Sequence, residues 1–133
     1  MTNTKEFALV SIREDEIGKI IVNASFVVHS RLGPGLLEKI YETCLEYEIK
    51  KAGLKVSRQV NIPISYDYLI FDEGLRIDLL VEDLVICEIK AVDQLTIHNA
   101  QLLTYLKLTG KRLGYLINFN VPIIKQGIKR IVL

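Results

Sequence analysis

The segment from Leu75 to Ala91 constrains the fold more than any other. Two β-rich runs, Leu75–Val81 and Leu84–Ala91, are separated only by Glu82 and Asp83. A polar break that short joins strands as a hairpin. Buried strands normally exclude charge, yet Asp78 interrupts the first run and Glu88 and Lys90 interrupt the second. Burying such a group singly costs several kcal/mol unless an opposite charge or a metal compensates. Glu88 and Lys90 lie two apart, so both project from one face of their strand. The peptide carbonyl of Ile89 lies between them. An Asp, a Glu and a backbone carbonyl make a hard-oxygen site suited to Mg2+. The lysine adds a fixed positive charge for an anionic phosphate or for a water turning into hydroxide. A structural ion pair, or edge strands with these groups in water, are the alternatives the three residues leave open.

The flanking periodicities supply the architecture. From Arg13, the residues Ile17, Ile20, Ile21, Ala24, Val27 and Val28 recur at helical spacing, with Val22 and Phe26 widening the stripe. Leu32-Gly33-Pro34-Gly35 ends that helix. A second helix runs from Leu36 to about Ala52 with Leu37, Tyr41, Cys44, Leu45 and Ile49 apolar and Gly53 as its cap. Lys55–Tyr66 alternates as a strand, and Pro63 marks it as an edge or a bulge. Asp72-Glu73-Gly74 reads as a turn. A third helix spans Leu95–Thr109, followed by strands at Arg112–Phe119 and Gly127–Leu133. The order α-α-β-β-β-α-β-β predicts an α/β protein of the α+β kind, a mixed sheet with helices on its faces.

With 133 residues the chain has room for one domain, 1–133, with residues 1–12 as an arm or edge strand. Its wholly apolar runs are four or five residues at most, which excludes a membrane span. The start, MTNTKEFALVSIRED, lacks the pattern of a signal peptide. Cys44 and Cys87 have no metal or redox spacing and read as buried free thiols of a cytoplasmic protein. Charge is uneven. Residues 94–133 hold six bases and no acid, whereas residues 1–93 hold all 16 acids and 11 bases. A basic C-terminal third suggests a polyanion as partner, or simply a solvated face.

Strand parity adds a condition. A two-residue turn at Glu82-Asp83 would set Asp78 opposite Cys87 and send Asp78 and Glu88 to opposite faces. A shared metal therefore requires an odd connection, Glu82-Asp83-Leu84, that pairs Val81 with Val85, or a bulge at Asp78.

Asp78 followed by Glu88-Ile89-Lys90, on consecutive strands ahead of a helix, resembles the PD-(D/E)XK nuclease superfamily. Within it, Gly35-Leu36-Leu37-Glu38-Lys39-Ile40-Tyr41 matches the signature of the GxxExxY proteins at each fixed position. Gln101-Leu102-Leu103-Thr104-Tyr105-Leu106 and Gly114-Tyr115-Leu116-Ile117-Asn118-Phe119 also look like that branch. Ile77 stands where the superfamily's name has Pro, a position that varies among such nucleases. The likeness spans about residues 15–130. It implies a restriction-endonuclease-like core, αβββαβ, with an extra N-terminal helix and a short C-terminal strand.

The resemblance also implies roles. Asp78 and Glu88 would hold Mg2+, or Mn2+, with the Ile89 carbonyl as third ligand and Glu38 completing the acidic cluster. Lys90 would position or polarise the attacking water, and Gln101 would orient Lys90 or a phosphate. Lys107, Lys111 and Arg112 are candidates for contact with a nucleic-acid backbone. The expected activity is metal-dependent hydrolysis of phosphodiester bonds in DNA or RNA. With no separate recognition domain, specificity would be low or would come from a homodimer or partner. A catalytically silent binding module on the same fold is the main alternative, and a phosphodiesterase for small nucleotides is another. His29 reads as a satisfied core or cap residue, His98 as a surface residue, and Tyr41 and Tyr105 as packing residues with a polar tip.

Overall fold

The computed structural model describes residues 9–93 and 97–133. Helix α1 (Ile12–Leu32) opens on a capping box, in which the Glu14 amide donates to Ser11 Oγ at 3.0 Å and the Ser11 amide to Glu14 Oε1 at 2.8 Å. It stops where Gly33 turns to a φ of 68° ahead of Pro34. Helix α2 (Glu38–Lys51) follows, and Gly53, at a φ of 95°, releases the chain into the sheet. The strands are β1 (Val56–Tyr66), β2 (Leu69–Val81), β3 (Val85–Lys90), β4 (Leu113–Asn118) and β5 (Ile128–Val132). Helix α3 (His98–Thr109) joins β3 to β4, and a short 3-10 turn, Ile124–Gly127, precedes β5. Leu95, the expected first residue of α3, lies outside the described residues, as does most of the expected arm. The described end of that arm, Leu9–Ser11, forms no strand.

The five strands stand side by side in chain order. Pairing is antiparallel except between β3 and β4, where the α3 crossover makes it parallel. Helices α1 and α2 cover one face, where Ile17, Ile21, Val28, Tyr41, Leu45 and Ile49 meet Leu79, Cys87, Ile89, Tyr115 and Ile117. Helix α3 covers the other, with Leu102 and Leu106 over Leu80, Ile86 and Leu116. Leu113, Tyr115 and Ile117 share one face of β4 and Leu116 takes the other, as their alternation predicts. Each fully buried Leu or Ile contributes about 1.5–3 kcal/mol. The central strands β3 and β4, covered on both sides, are thus the rigid base on which charged groups can be aimed.

Three local expectations are corrected. Asp72-Glu73-Gly74 is no turn: it lies inside β2, and the chain reverses at Asp67-Tyr68, with Asp67 at a φ of 54°. Ile62 pairs with Leu75 and Ile64 with Phe71, so Asp72, Glu73 and Gly74 oppose the single residue Pro63. This is a bulge on the edge pair, where a ladder donor is missing anyway. Glycine is required there by proximity, since a Cβ at residue 74 would lie 2.7 Å from the Ile64 nitrogen and 2.8 Å from the Ile62 oxygen. Second, the buried stripe of α1 is narrower than its hydrophobicity suggests. Phe26 and Val27 are about two-fifths exposed, at 41% and 38%. Third, only Cys87 is buried; Cys44, on α2, is half-buried.

Candidate active site

The β2–β3 connection is the three-residue one. Val81 pairs with Val85, Leu80 with Ile86 and Leu79 with Cys87, so Asp78 comes opposite Glu88. The main-chain ladder ends there, and side chains continue it. The Asp78 amide donates to Glu88 Oε1 at 3.3 Å and the Ile89 amide donates to Asp78 Oδ2 at 2.9 Å. Two carboxylates thereby satisfy backbone donors that the parting strands would otherwise leave bare.

A second irregularity sits at the same level. Val56 packs on the α1/α2 side and its partner Val81 is buried there, whereas Val60 and its partner Ile77 pack on the α3 side. Regular alternation would keep Val56 with Val60, and Ile77 with Leu79, on one face. Both strands therefore change face between these pairs, at Gln59 and Asp78, and Gln59 takes a φ of 50°. The bend brings Asp78 toward α2. There Glu38 and Glu42, one turn apart on the helix, complete a group of four acids with Asp78 and Glu88. Glu42 is 5% exposed and is held by Arg58 Nε at 3.0 Å and by Gln59 Nε2 at 3.0 and 3.1 Å from its two oxygens. Gln59 Nε2 also reaches Asp78 Oδ1 at 3.3 Å.

The electrostatics follow from this crowding. Burial pushes Glu88 up to about 8, helped by the neighbouring Asp78 charge. Burial also raises Asp78, against the pull of the Ile89 amide, and raises Glu38, against the attraction of Lys90. Lys90, half-buried at the end of β3, thus acts through space on all three acids. Arg58 answers Glu42, which leaves Asp78, Glu88 and Glu38 around the one Lys90 ammonium, short of positive charge. Their donor set, all hard oxygen, is one that a divalent cation fits. Among the described residues, no three His, Cys, Asp or Glu side chains already stand at metal-binding geometry.

Asp78, Glu88, Lys90 and Glu38 are therefore brought together, with Ile89 between Glu88 and Lys90 and its side chain in the core. Gln101 is exposed on α3 and donates to the Tyr105 hydroxyl at 3.1 Å. Tyr105 packs against the α3-side core, as expected, and its polar tip feels the acids: burial first, then the charges of Glu88 and Asp78, raise its phenol. The basic candidates do not gather at the cluster. Lys111 and Arg112 precede the end of β4 that pairs with Val85, whereas Lys90 pairs with Asn118 at the other end. A strand of that length separates them by roughly 20 Å. Lys111 faces Asp83 at 3.6 Å and Arg112 donates to the Leu9 carbonyl at 3.0 Å. Lys107 is exposed near the end of α3. His29 is a satisfied cap residue, its Nε2 bonded to the Val121 carbonyl at 2.8 Å.

Glu42, Arg58 and Gln59 were not legible as site residues. Glu42 had a signal, because it breaks the stripe of Tyr41, Leu45 and Ile49 as Glu88 breaks its strand. Tyr41 of the GxxExxY match braces the loop before α2, its hydroxyl donating to the Gly33 carbonyl at 2.6 Å and accepting from the Leu36 amide at 3.0 Å. Its ring stacks on Phe119 at 4.7 Å.

A five-stranded mixed sheet between helices, with acids and a lysine where two central strands part, matches the restriction-endonuclease-like fold. A family model described as the PD-(D/E)XK nuclease superfamily matches residues 15–131, and the chain belongs to that superfamily. Membership suggests nuclease-type activity. No curated protein and no solved structure matches the chain. Among the described residues, no helix is long and apolar enough to cross a membrane.

Proposed function

We propose that this chain is a divalent-metal-dependent nuclease of the GxxExxY branch that hydrolyses phosphodiester bonds in nucleic acid. The observation that carries the reading is the odd connection Glu82–Leu84, which sets Asp78 and Glu88 across from each other where the ladder opens. Asp78, Glu88 and Glu38, with the Ile89 carbonyl, would hold Mg2+ or Mn2+. Such an ion, when bound, polarises a phosphoryl oxygen and lowers the pKa of water.

The chain's own groups supply the rest. Lys90 places an ammonium beside the acids, where it orients the attacking water and offsets negative charge gathering on the phosphate. The Gln59 amide joins Asp78 to Glu42. Tyr105, which feels the acids from α3, and Gln101, bonded to its hydroxyl, would position a phosphate. Lys107, exposed in the last turn of the same helix, and Lys111 and Arg112 just beyond it would touch the nucleic-acid backbone only farther along the sheet. We read residues 1–133 as one catalytic unit of low sequence specificity unless a homodimer adds contacts. The free thiols of Cys44 and Cys87 support a reducing, cytoplasmic setting.

The test is incubation of the purified chain with labelled single- and double-stranded DNA and RNA, with Mg2+, with Mn2+ and with chelator. Cleavage that requires the ion and disappears in Lys90→Ala is expected. Binding without cleavage, in every condition, would leave the silent-module alternative.

A further inference from the structure

We propose that Gln59 is a positioning residue of the acidic cluster: its side-chain amide ties Asp78 to Glu42 and fixes how the Asp78 carboxylate is turned. The proposal deepens the nuclease reading and rests on it for its catalytic meaning.

Three observations carry it. The first is the backbone. Gln59 holds a φ of 50° inside a strand, a conformation disfavoured for residues with a Cβ and found where local structure serves a site. The second is reach. Arg58 and Gln59 are adjacent in β1 and would point to opposite faces of a regular strand, yet both bond to Glu42. The left-handed residue, with the change of face that accompanies it, is what turns both side chains toward α2. The third is stoichiometry. A primary amide carries two N–H donors, and Gln59 Nε2 meets two carboxylates, at 3.0 Å from Glu42 Oε1 and 3.3 Å from Asp78 Oδ1. Ionised carboxylates only accept, so the nitrogen must face them. Asp78 then has one oxygen held by Gln59 and the other by the Ile89 amide at 2.9 Å. Its plane is fixed from both sides, and its remaining lone pairs are aimed without a search through rotamers.

The Ile89 amide gives a readout that depends on neither metal nor activity. Hydrogen exchange at Ile89 is followed in the full chain, without metal, relative to Ile86 inside the intact ladder. Gln59→Gly keeps the left-handed backbone and loses the amide; Gln59→Leu keeps the bulk and loses the amide. In both, Ile89 should exchange about tenfold faster relative to Ile86, the scale of one hydrogen bond to a charged group. In both, kcat for cleavage should fall by a similar, roughly tenfold, factor with KM unchanged. Unaltered Ile89 exchange in whichever variant folds would overturn the proposal. A wild-type chain that cleaves nothing would remove the nuclease reading, while Ile89 exchange would still decide the role of Gln59.

Discussion

Asp78 and Glu88 replace a rung of the sheet with their side chains. The amide of Asp78 bonds to Glu88 at 3.3 Å, and the amide that follows Glu88 bonds back to Asp78 at 2.9 Å. Neither acid is therefore independent of the other. Each serves as a structural acceptor while sitting in the field of its neighbour, and this dual use separates changes that remove charge from changes that remove shape.

Lys90→Ala should leave the fold intact, because the side chain is half-buried at a strand end. Its turnover should fall by about 100- to 1,000-fold, the usual loss when one stabilising donor is removed from a developing anion. Single-turnover cleavage beside a thermal unfolding curve checks both halves. An unfolded variant, or one of undiminished rate, contradicts the assignment.

Asp78→Asn retains the size of the side chain and an oxygen to accept from Ile89, but not the charge. Mn2+ should raise the melting temperature of the wild-type chain, by an amount equivalent to about 2.7 kcal/mol at a hundredfold excess over Kd. The variant should show little of that rise. Equal shifts in both would place the ion elsewhere.

Glu88 sets a pH dependence in chelator. Its carboxyl is pushed up to about 8 in the folded chain from an ordinary value of 4.5. Between those limits the folded state holds a proton that the unfolded state has released, so stability falls as pH rises through the window. Glu88→Gln is uncharged throughout and should escape that loss. Urea midpoints of the two proteins should converge near about pH 5 and separate, variant above wild type, near about pH 9. The opposite order would mean that Glu88 folds as a stabilised anion.

Tyr41→Phe keeps the stacking on Phe119 and loses the hydroxyl that joins Gly33 to Leu36. A cost of about 1–2 kcal/mol is expected from denaturant titration. Amide exchange should quicken in residues 33–37, just ahead of Glu38. A change confined to the α1 interior would argue against this bracing role.

Gly74→Ala forces a methyl group onto the backbone of Ile62 and Ile64. The bulge must shift, and a loss of about 1–3 kcal/mol should appear in the urea midpoint. A neutral substitution would show that the edge pair is more pliant than its contacts imply.

The parts of the site read from sequence share one property: a charge set in an apolar run. Asp78, Glu88 and Lys90 stood out for that reason, and the parity of a hairpin showed that a shared site needs either an odd connection such as Glu82–Leu84 or a bulge at Asp78. Asp72-Glu73-Gly74 misled because a bulge and a turn ask the same thing of a residue, freedom from a Cβ, and only the partner strand tells them apart. Gln59 carried no mark, since glutamine has no leaning toward a left-handed backbone and its two partners lie 17 and 19 residues away. Lys107, Lys111 and Arg112 shared a charge sign with Lys90 but not a location: they cluster where α3 ends and β4 begins, and the length of β4 comes between that end and Lys90.

The two thiols differ in what can reach them. Cys87 is fully enclosed beneath α1 and α2, and burial together with the nearby Glu88 and Asp78 drives its ionisation far above the ordinary range. An alkylating reagent meets Cys44 in the folded chain but meets Cys87 only when the central strands come apart. The slower of the two labelling rates is thus a clock for opening of the sheet beneath the acidic cluster, present in the unaltered molecule and readable by mass alone.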